Sequence, residues 1–222
     1  MMLGVLFSGG KDSCYSAYLA KQKGHNLACL ISLDSENKDS FMFHTPAISL
    51  VGKQAEVIGL PLILQKTKGE KEKELDDLER AIKLAVKKYK IEGVVSGAVE
   101  SVYQASRIQK ICNKLKIECF NPLWQKNQIE LLNDLIKSKF EIILSGVFAY
   151  PLNEKWIGRK IDKKFIEELK MLKDKWGINP AGEGGEFESF VVNCPLFNDR
   201  IKIRNINMIK EGENSFRGEI EI

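Results

Sequence analysis

The sequence predicts an α/β fold, with a doubly wound, mostly parallel sheet followed by a smaller α+β domain. Three observations support this prediction. Short apolar runs alternate with helix-like segments as far as residue 120, and the first run ends in a glycine-rich turn before a helix. After residue 121 the alternation stops. Strands that alternate with helices need crossover connections, which cover both faces of a parallel sheet. The predicted domains are residues 1–121 and 122–222.

Local patterns predict each element of the first domain. The predicted strands are 3–7, 27–33, 60–65, 93–96 and 117–120. The predicted helices are 13–23, 46–58, 75–89 and 101–116. The first helix is expected to end at Gly24, since glycine tolerates a left-handed backbone. Thr45 and Pro46 suit a helix cap and first position, and Ser101 with Gln104 fits a capping box.

The third helix has the clearest periodicity. Apolar residues recur at three- and four-residue steps, at Leu75, Leu78, Ile82, Ala85 and Tyr89. The charged run 68–77 is predicted to be the solvated face of this helix, not a binding site. In the second domain the predicted helices are 128–137 and 162–176, and the predicted strands are 141–148, 186–193, 200–209 and 215–222.

Composition excludes several classes of protein. The 222 residues are 44% apolar and 29% charged, as in soluble globular proteins. Because 30 acidic residues are interleaved with 34 basic ones, we expect no direct binding of nucleic acid. Five scattered cysteines without a C-x-x-C pair argue against structural zinc or disulfides and suit a cytoplasmic location. No apolar stretch approaches the ~20 residues of a membrane span.

The turn "SGGKDS" lies at the carboxyl end of the first predicted strand, where open α/β sheets bind ligands. Gly9 and Gly10 permit unusual backbone angles and close approach of a ligand. Successive N–H groups and the helix dipole form an anion site there. Ser8 and Ser13 add hydroxyl groups, and Lys11 adds a positive charge. A phosphate group is the predicted ligand.

Asp12 is an unexpected residue in a phosphate site. A carboxylate there is understandable if it binds Mg²⁺ against the phosphates. The turn matches neither G-x-x-x-x-G-K-[ST] nor G-x-G-x-x-G. The alternative is an ordinary strand-to-helix turn with Ser13 near the cap.

The same turn resembles the pyrophosphate loop of the N-type ATP pyrophosphatases, the PP-loop enzymes. The resemblance implies cleavage of ATP to AMP and pyrophosphate, with the β- and γ-phosphates held by the loop. Members that thiolate tRNA rely on cysteine pairs, and this sequence has no adjacent pair. Glutamine-dependent members carry a glutaminase domain for which there is no room here, so ammonia is expected to come from solution.

Four further stretches resemble diphthine–ammonia ligases. They are "MFHT" at 42–45, "SGAVESVYQASRIQKIC" at 96–112, "PLW" at 122–124 and "GEGGEFESFVVNCPLF" at 182–197. The family usually has threonine where this sequence has Ser189, which keeps the hydroxyl group. The resemblance implies the short archaeal-type form, and amidation of diphthine on elongation factor 2 with ammonium. Adenylation of the carboxylate would divide this difficult step into two easier ones.

The signature contains three acids, Glu183, Glu186 and Glu188. Glu186 and Glu188 would share one face of an extended segment. The acids could coordinate Mg²⁺, attract ammonium or face the trimethylammonium group of diphthine. The alternative is a solvated acidic turn.

Three more positions are candidates. Arg107, on the same helical face as Tyr103 and Gln104, could bind the α-phosphate or the substrate carboxylate, or could be an ordinary surface arginine. Gly97 could let the nucleotide approach, or could belong to an ordinary turn. His44 could contact the nucleotide, or only stabilise its turn.

Aromatic side chains offer another candidate site. Trp124, Tyr103, Phe148 and Tyr150 could surround a quaternary ammonium group, although aromatic residues more often belong to the core. The leading functional prediction is an AMP-forming amide ligase. The alternatives are a PP-loop enzyme acting on a tRNA base or small metabolite, and an ATP-binding sensor without catalysis.

Overall fold

The computed structural model describes residues 1–35, 48–70 and 72–222. The chain folds into two compact units, Met1–Trp124 and Gln125–Ile222. The division lies near the predicted boundary after residue 121. His44 and the "MFHT" stretch lie outside the described residues, as does the predicted helix start at Thr45 and Pro46.

The first unit alternates strands and helices. Its strands are β1 (Met2–Leu6), β2 (Asn26–Ser35), β3 (Leu62–Thr67), β4 (Gly93–Val95) and β5 (Glu118–Phe120). Its helices are α1 (Lys11–Gln22), α2 (Ile48–Ile58), α3 (Lys73–Tyr89) and α4 (Val102–Leu115). The strands form one parallel sheet in the order β3-β2-β1-β4-β5. The predicted doubly wound α/β class is confirmed.

Both faces of this sheet are buried along its central strands. Along β2, Cys29 and Ile31 face the core formed with α3 and α4, while Leu30 between them is also buried. Helix α1 packs on β1, β2 and β4. The two buried faces explain why the strands read as continuous apolar runs instead of alternating patterns.

The predicted apolar stripe of α3 is confirmed, but the interpretation of its charged run is wrong in part. Leu78, Ile82 and Ala85 are buried in the core. Glu74 and Asp77, predicted to be solvated, are only 1% and 9% exposed. Helix α3 packs against β3 and β2, and Asp77 accepts a hydrogen bond from Arg80.

The ends of α1 and α4 follow local capping. Helix α1 begins at Lys11, two residues before the predicted start at Ser13, and ends before Gly24, whose φ is +82°. The Ser101 hydroxyl oxygen accepts a hydrogen bond from the N–H of Gln104 at 3.3 Å. Ser101 therefore caps α4 as its position predicted.

The second unit is an α+β arrangement around an antiparallel sheet. Its helices are α5 (Gln128–Lys137) and α6 (Lys163–Trp176), with a short 3-10 turn at Glu154–Trp156. Its strands are β6 (Glu141–Val147), β7 (Phe187–Asn193), β8 (Asn205–Gly212) and β9 (Ser215–Glu221). The sheet order is β7-β6-β9-β8.

Strand β8 differs from the predicted strand 200–209. It begins at Asn205 and continues to Gly212, because a two-residue turn at 213–214 sets the register of the β8–β9 hairpin. Among the residues that the structure describes, no helix is long and apolar enough to cross a membrane.

Candidate functional site

The loop between β1 and α1 presents backbone N–H groups at the carboxyl end of a central strand. Gly10 is the N-cap of α1, with φ of −80°. The first N–H groups of a helix have no intrahelical acceptor, and the helix dipole adds partial positive charge there. Lys11, Asp12 and Ser13 form this first turn. The loop can therefore bind an anion.

Only one of the two glycines needs its special backbone freedom. Gly9 has φ of +78°, whereas Gly10 is extended, so only Gly9 uses the backbone freedom that both glycines permit. A Cβ on Gly9 would lie 2.2 Å from Oε1 of Gln54. Gln54 Nε2 donates to the Gly9 carbonyl oxygen at 3.0 Å, and the residue is fully buried. Gln54 was not predicted, because a glutamine beside Lys53 and near Glu56 in α2 is typical of a solvent-facing position.

The two serines of the loop bind each other. Ser8 Oγ donates to Ser13 Oγ at 3.2 Å, and Ser13 Oγ donates to the Gly10 carbonyl oxygen at 3.1 Å. The Ser8 N–H also points to Ser13 Oγ, at 3.3 Å. These bonds close the loop on itself and fix the direction of its N–H groups.

Lys11 and Asp12 form an ion pair at the helix start. Lys11 Nζ lies 2.8 Å from Asp12 Oδ2, and the lysine side chain is only 5% exposed. Asp12 Oδ1 is buried and has no hydrogen-bond partner within the described parts of the chain. A buried carboxylate oxygen of this kind fits a cation that would be shared with bound phosphates.

Gly97 contacts the loop itself. A Cβ at this position would lie 2.9 Å from Ser13 N and 3.0 Å from the Asp12 carbonyl carbon. The missing side chain makes room for the backbone of α1, which approaches it directly. This close contact is enough to explain why residue 97 is a glycine, whether or not a nucleotide binds.

Arg107 is engaged within the first unit. Its Nη2 and Nε donate to Glu72 Oε1 at 2.5 and 3.1 Å, and its guanidinium carbon lies 3.5 Å from the Tyr103 ring centroid. The hydrogen bond to Glu72 raises the pKa of Arg107. An anion would have to displace Glu72 to reach Nε and Nη2 of Arg107. Glu72 was not predicted, because it belongs to the charged run interpreted as solvated.

Two of the candidate aromatic residues have a guanidinium group over their rings within their own unit. The Arg107 guanidinium lies over the Tyr103 ring. The guanidinium carbon of Arg217 lies 5.1 Å from the centroid of the Phe148 ring. Tyr150 makes an edge-on contact with Trp176 at 5.0 Å and is 59% exposed. Trp124 is 36% exposed, in the first unit.

In the second unit, Glu186 stabilises the acidic turn, residues 181–186, through hydrogen bonds to its backbone and to Asn179. Its Oε1 accepts from the N–H and Nδ2 of Asn179 at 2.9 and 2.7 Å, and its Oε2 accepts from the N–H of Gly184 at 2.8 Å. Gln128 donates to Asn179 at 3.4 Å and accepts from the N–H of Ala181 at 2.9 Å. Glu186 is 8% exposed, so the alternative of a fully solvated turn is wrong for it.

Glu188 has a different set of partners. It lies on β7, where its Oε2 accepts from Arg217 Nη1 at 2.9 Å. Glu186 precedes β7, and its carboxylate points back into the turn, so the expectation of one shared face is not met. Glu183 is half-buried in the same turn. In the described part of the chain, no three His, Cys, Asp or Glu residues form a metal cluster.

The cysteines of the first unit lie in its core. Burial raises the pKa of Cys29 to about 11, so its thiol stays protonated. Cys112 and Cys119 form no pair in the sequence, but the structure brings them into hydrogen-bond contact between α4 and β5. This contact and burial raise the pKa of Cys112. None of these residues forms part of the Ser8–Ser13 loop.

Comparison with known proteins covers both units. Sequence profiles of the diphthamide synthase N-terminal and C-terminal domains match residues 1–119 and 127–220. The chain belongs to the diphthamide synthase family. The family resemblance predicted from the motifs is thereby confirmed.

Named relatives in the diphthamide synthase family align along most of the chain. The diphthine–ammonia ligase of Bos taurus is 32% identical over 235 residues, which cover 97% of this chain and 88% of that protein. The diphthine–ammonia ligase of Schizosaccharomyces pombe is 34% identical, covering 92% of this chain and 36% of that protein.

A solved structure described as a predicted subunit of tRNA methyltransferase from Methanocaldococcus jannaschii is 20% identical. The match covers 88% of this chain and 98% of that one, with a TM-score of 0.46. This likeness is too weak to add to the assignment of the chain to the diphthamide synthase family.

Proposed function

We propose that this chain is an ATP-dependent diphthine–ammonia ligase. In the proposed reaction a carboxylate oxygen of diphthine on elongation factor 2 attacks the α-phosphorus of ATP, and pyrophosphate leaves. Ammonia then attacks the acyl-AMP carbonyl, and AMP leaves with formation of the amide. The products are diphthamide, AMP, pyrophosphate and a proton.

The strongest support for this proposal is the match to both domains of the family, together with the position of one loop in the matched N-terminal part. The chain matches both domains of the family, and in the matched N-terminal part a loop of N–H donors stands at the end of a central strand. Such a loop binds phosphate through the backbone and the helix dipole. Ligase relatives with 32% identity across 97% of the chain support the amide-forming chemistry.

The loop is proposed to bind the β- and γ-phosphates as the leaving unit. The N–H groups of α1's first turn and the Ser8 and Ser13 hydroxyls would orient them, and Lys11 would neutralise their charge. A Mg²⁺ ion would be held by Asp12, through the buried Oδ1, and by phosphate oxygens. When bound, Mg²⁺ neutralises the charge that develops on the pyrophosphate.

Arg107 is proposed to bind the α-phosphate or the substrate carboxylate after it exchanges Glu72 for that anion. Because this ion pair is partly exposed, the exchange costs little free energy. Gly97 is proposed to help the nucleotide approach by shaping the loop backbone, and His44 is proposed to contact the nucleotide. Ammonium handling is proposed for Glu183 and Glu188, with Glu186 fixing the turn that contains Glu183 and leads into the strand of Glu188.

The test is a complete reaction with purified components. The chain is incubated with ATP, Mg²⁺, isotopically labelled ammonium and elongation factor 2 that carries diphthine. We expect AMP and pyrophosphate in equal amounts, and label in the modified histidine. Omission of the factor should strongly reduce AMP formation.

The products decide between the proposal and its alternatives. ADP and orthophosphate as main products would contradict a loop that binds the β- and γ-phosphates. AMP formation without label in the factor would indicate a different substrate. Binding of ATP without turnover under all conditions would indicate a sensor.

A further inference from the structure

Three residues form a row across the second sheet beside the acidic turn. Glu188 on β7 and Arg217 on β9 are both paired with Gly146, on the intervening strand β6. Directly paired residues project their side chains from the same face of the sheet. Because Gly146 has no side chain, neighbouring side chains can occupy the space above it.

The two long side chains meet above this glycine. Neighbouring strands lie about 4.8 Å apart, so the backbones of Glu188 and Arg217 are about 10 Å apart. Arg217 Nη1 nevertheless donates to Glu188 Oε2 at 2.9 Å. A Cβ on Gly146 would lie 3.0 Å from that oxygen and 2.5 Å from the Phe148 ring. The ion pair therefore depends on the glycine below it.

Arg217 is fixed from more than one direction. Its guanidinium carbon lies 5.1 Å from the Phe148 ring centroid, and its Nε donates to Glu211 Oε1 at 3.0 Å. The side chains of Arg217 and Glu188 are only 13% and 15% exposed. Salt screens such a pair less than an exposed one, and loss of Arg217 removes a bound cation from a partly buried carboxylate.

We propose that Arg217 is a positioning residue that fixes the Glu188 carboxylate for its role in amidation. This inference rests on the proposed function, in which Glu188 handles ammonium beside the acidic turn. Arg217 acts through Glu188, and Glu211 holds the other end of the guanidinium. Glu188 and Glu211 both bind the Arg217 guanidinium. These three side chains, the Arg217 cluster, together have a net negative charge, which suits a cationic or N–H-donating partner.

The kinetic test combines single and double variants in the full chain. Arg217→Met should lower the single-turnover amidation rate on the order of 10²-fold, the effect of a misplaced reacting group, with ATP affinity within about twofold. Arg217→Lys should recover part of this loss. The double variant with Glu188→Gln should be no slower than Glu188→Gln alone, since both changes remove the same interaction.

Arg200→Met is the matched control. Arg200 also binds a glutamate of this sheet, with Nε 2.9 Å from Glu141 Oε2, but its side chain is 47% exposed. Its loss should leave the amidation rate unchanged. If Arg217→Met and Glu188→Gln multiply in the double variant, Arg217 does not act through Glu188.

A structural readout separates this inference from the proposed function. Crystal structures should show the Glu188 carboxylate displaced in Arg217→Met and in place in Arg217→Lys. If Glu188 keeps its position in Arg217→Met, the positioning role is wrong, even with an active enzyme. If the wild-type chain amidates nothing, the proposed function fails, while the crystal structures still decide whether Arg217 positions Glu188.

Discussion

Asp12 is the loop residue that packing explains least. One of its carboxylate oxygens binds Lys11 at 2.8 Å, while the other is buried without a hydrogen-bond partner in the described residues. Natural proteins rarely leave a buried acceptor in this state unless a ligand, ion or water completes it. The structural cost of Asp12 is therefore consistent with a functional role.

Replacing Lys11 by Ala or Asp12 by Asn should lower ATP turnover on the order of 10²-fold, because each change removes a charge from the phosphate site. The free energy of unfolding should fall by about 1–3 kcal/mol, since each change leaves one partner of a largely buried ion pair without its counter-charge. Turnover assays and urea unfolding measure both effects. Lys21→Ala, in the last turn of the same helix, is the control. Normal AMP formation by Lys11→Ala and Asp12→Asn would contradict the loop's proposed role.

Gly97 gives a second prediction for a single residue. In Gly97→Ala the new Cβ would lie 2.9 Å from Ser13 N, so the loop backbone must move. We expect a loss of about 1–3 kcal/mol in unfolding free energy and an ATP affinity at least about tenfold weaker. Calorimetry and urea unfolding would measure these changes.

Gly52→Ala is the matched control for this prediction. Gly52 lies within α2, and a Cβ there would meet nothing within 4 Å. Alanine should stabilise the helix by up to about 1 kcal/mol. Unchanged ATP affinity in Gly97→Ala would show that the loop tolerates the displaced backbone.

The acidic turn depends on one buried carboxylate and its neighbours. Glu186 accepts three N–H groups, and Gln128 extends the network to the start of α5. Gly182 and Gly185 have φ of +75° and +82°, which other residues rarely adopt. Hydrogen bonds and glycine backbone angles together fix the turn as one element.

In Glu186→Gln an acceptor oxygen becomes an NH₂ group that faces N–H donors. We expect unfolding free energy to fall by about 1–3 kcal/mol, the cost of an unsatisfied buried group. ATP affinity should stay within a few-fold, because the loop lies in the other unit. Urea unfolding and calorimetry test this, with Glu219→Gln on the exposed side of β9 as control. Wild-type stability of Glu186→Gln would show that the hydrogen bonds of Glu186 do not stabilise the turn.

Helices α3 and α4 are joined by Glu79. Lys114 on α4 and Lys83 on α3 both bind its carboxylate, at 2.8 and 2.6 Å. The hydrogen bond from Lys114, followed by that from Lys83, holds the pKa of Glu79 below its usual value. The stabilisation is thus present above the pKa of the unfolded chain and is lost as pH falls through the folded-state pKa.

Glu79→Gln should therefore be less stable than wild type at pH 7, and the difference should shrink as pH falls below the ordinary glutamate pKa and disappear below the lowered folded-state pKa of Glu79. The difference should stay under about 1 kcal/mol, since both lysine side chains are more than half exposed, at 55% and 65%. Urea unfolding across pH would measure it. A difference that grows in acid would contradict this sign.

At the scale of the whole chain, each unit has its own sheet. The first contains the loop, its supporting Gln54 and the core of α3 and α4; the second contains the acidic turn and the Arg217 cluster. The units contain about a hundred residues or more, which is enough for independent folding.

The isolated segment 1–124 should fold and bind ATP, because every residue assigned to the phosphate loop lies within it. The segment 125–222 should fold without binding ATP, and neither should amidate the factor. Circular dichroism, calorimetry and the amidation assay test each part. Lack of ATP binding by a folded 1–124 segment would place essential contacts in the second unit.

The sequence by itself determined the class of fold, most elements and the location of the loop. These features depend on local patterns: periodicity, the glycine turn, and caps such as Ser101. Motif resemblance also identified the family, because signatures occur in both units. Local patterns were insufficient at 200–209, where the hairpin turn set the register.

Only the tertiary structure decided which side chains meet. Gln54 beneath Gly9, Glu72 on Arg107 and Arg217 above Gly146 are separated from their partners by many residues in the chain. The sequence carries no periodic signal for such pairs, since strand register and helix packing create them. The acids of one short motif likewise lie in different environments. Glu186 precedes β7 and its carboxylate points into the turn, whereas Glu188 lies within the strand beside Arg217.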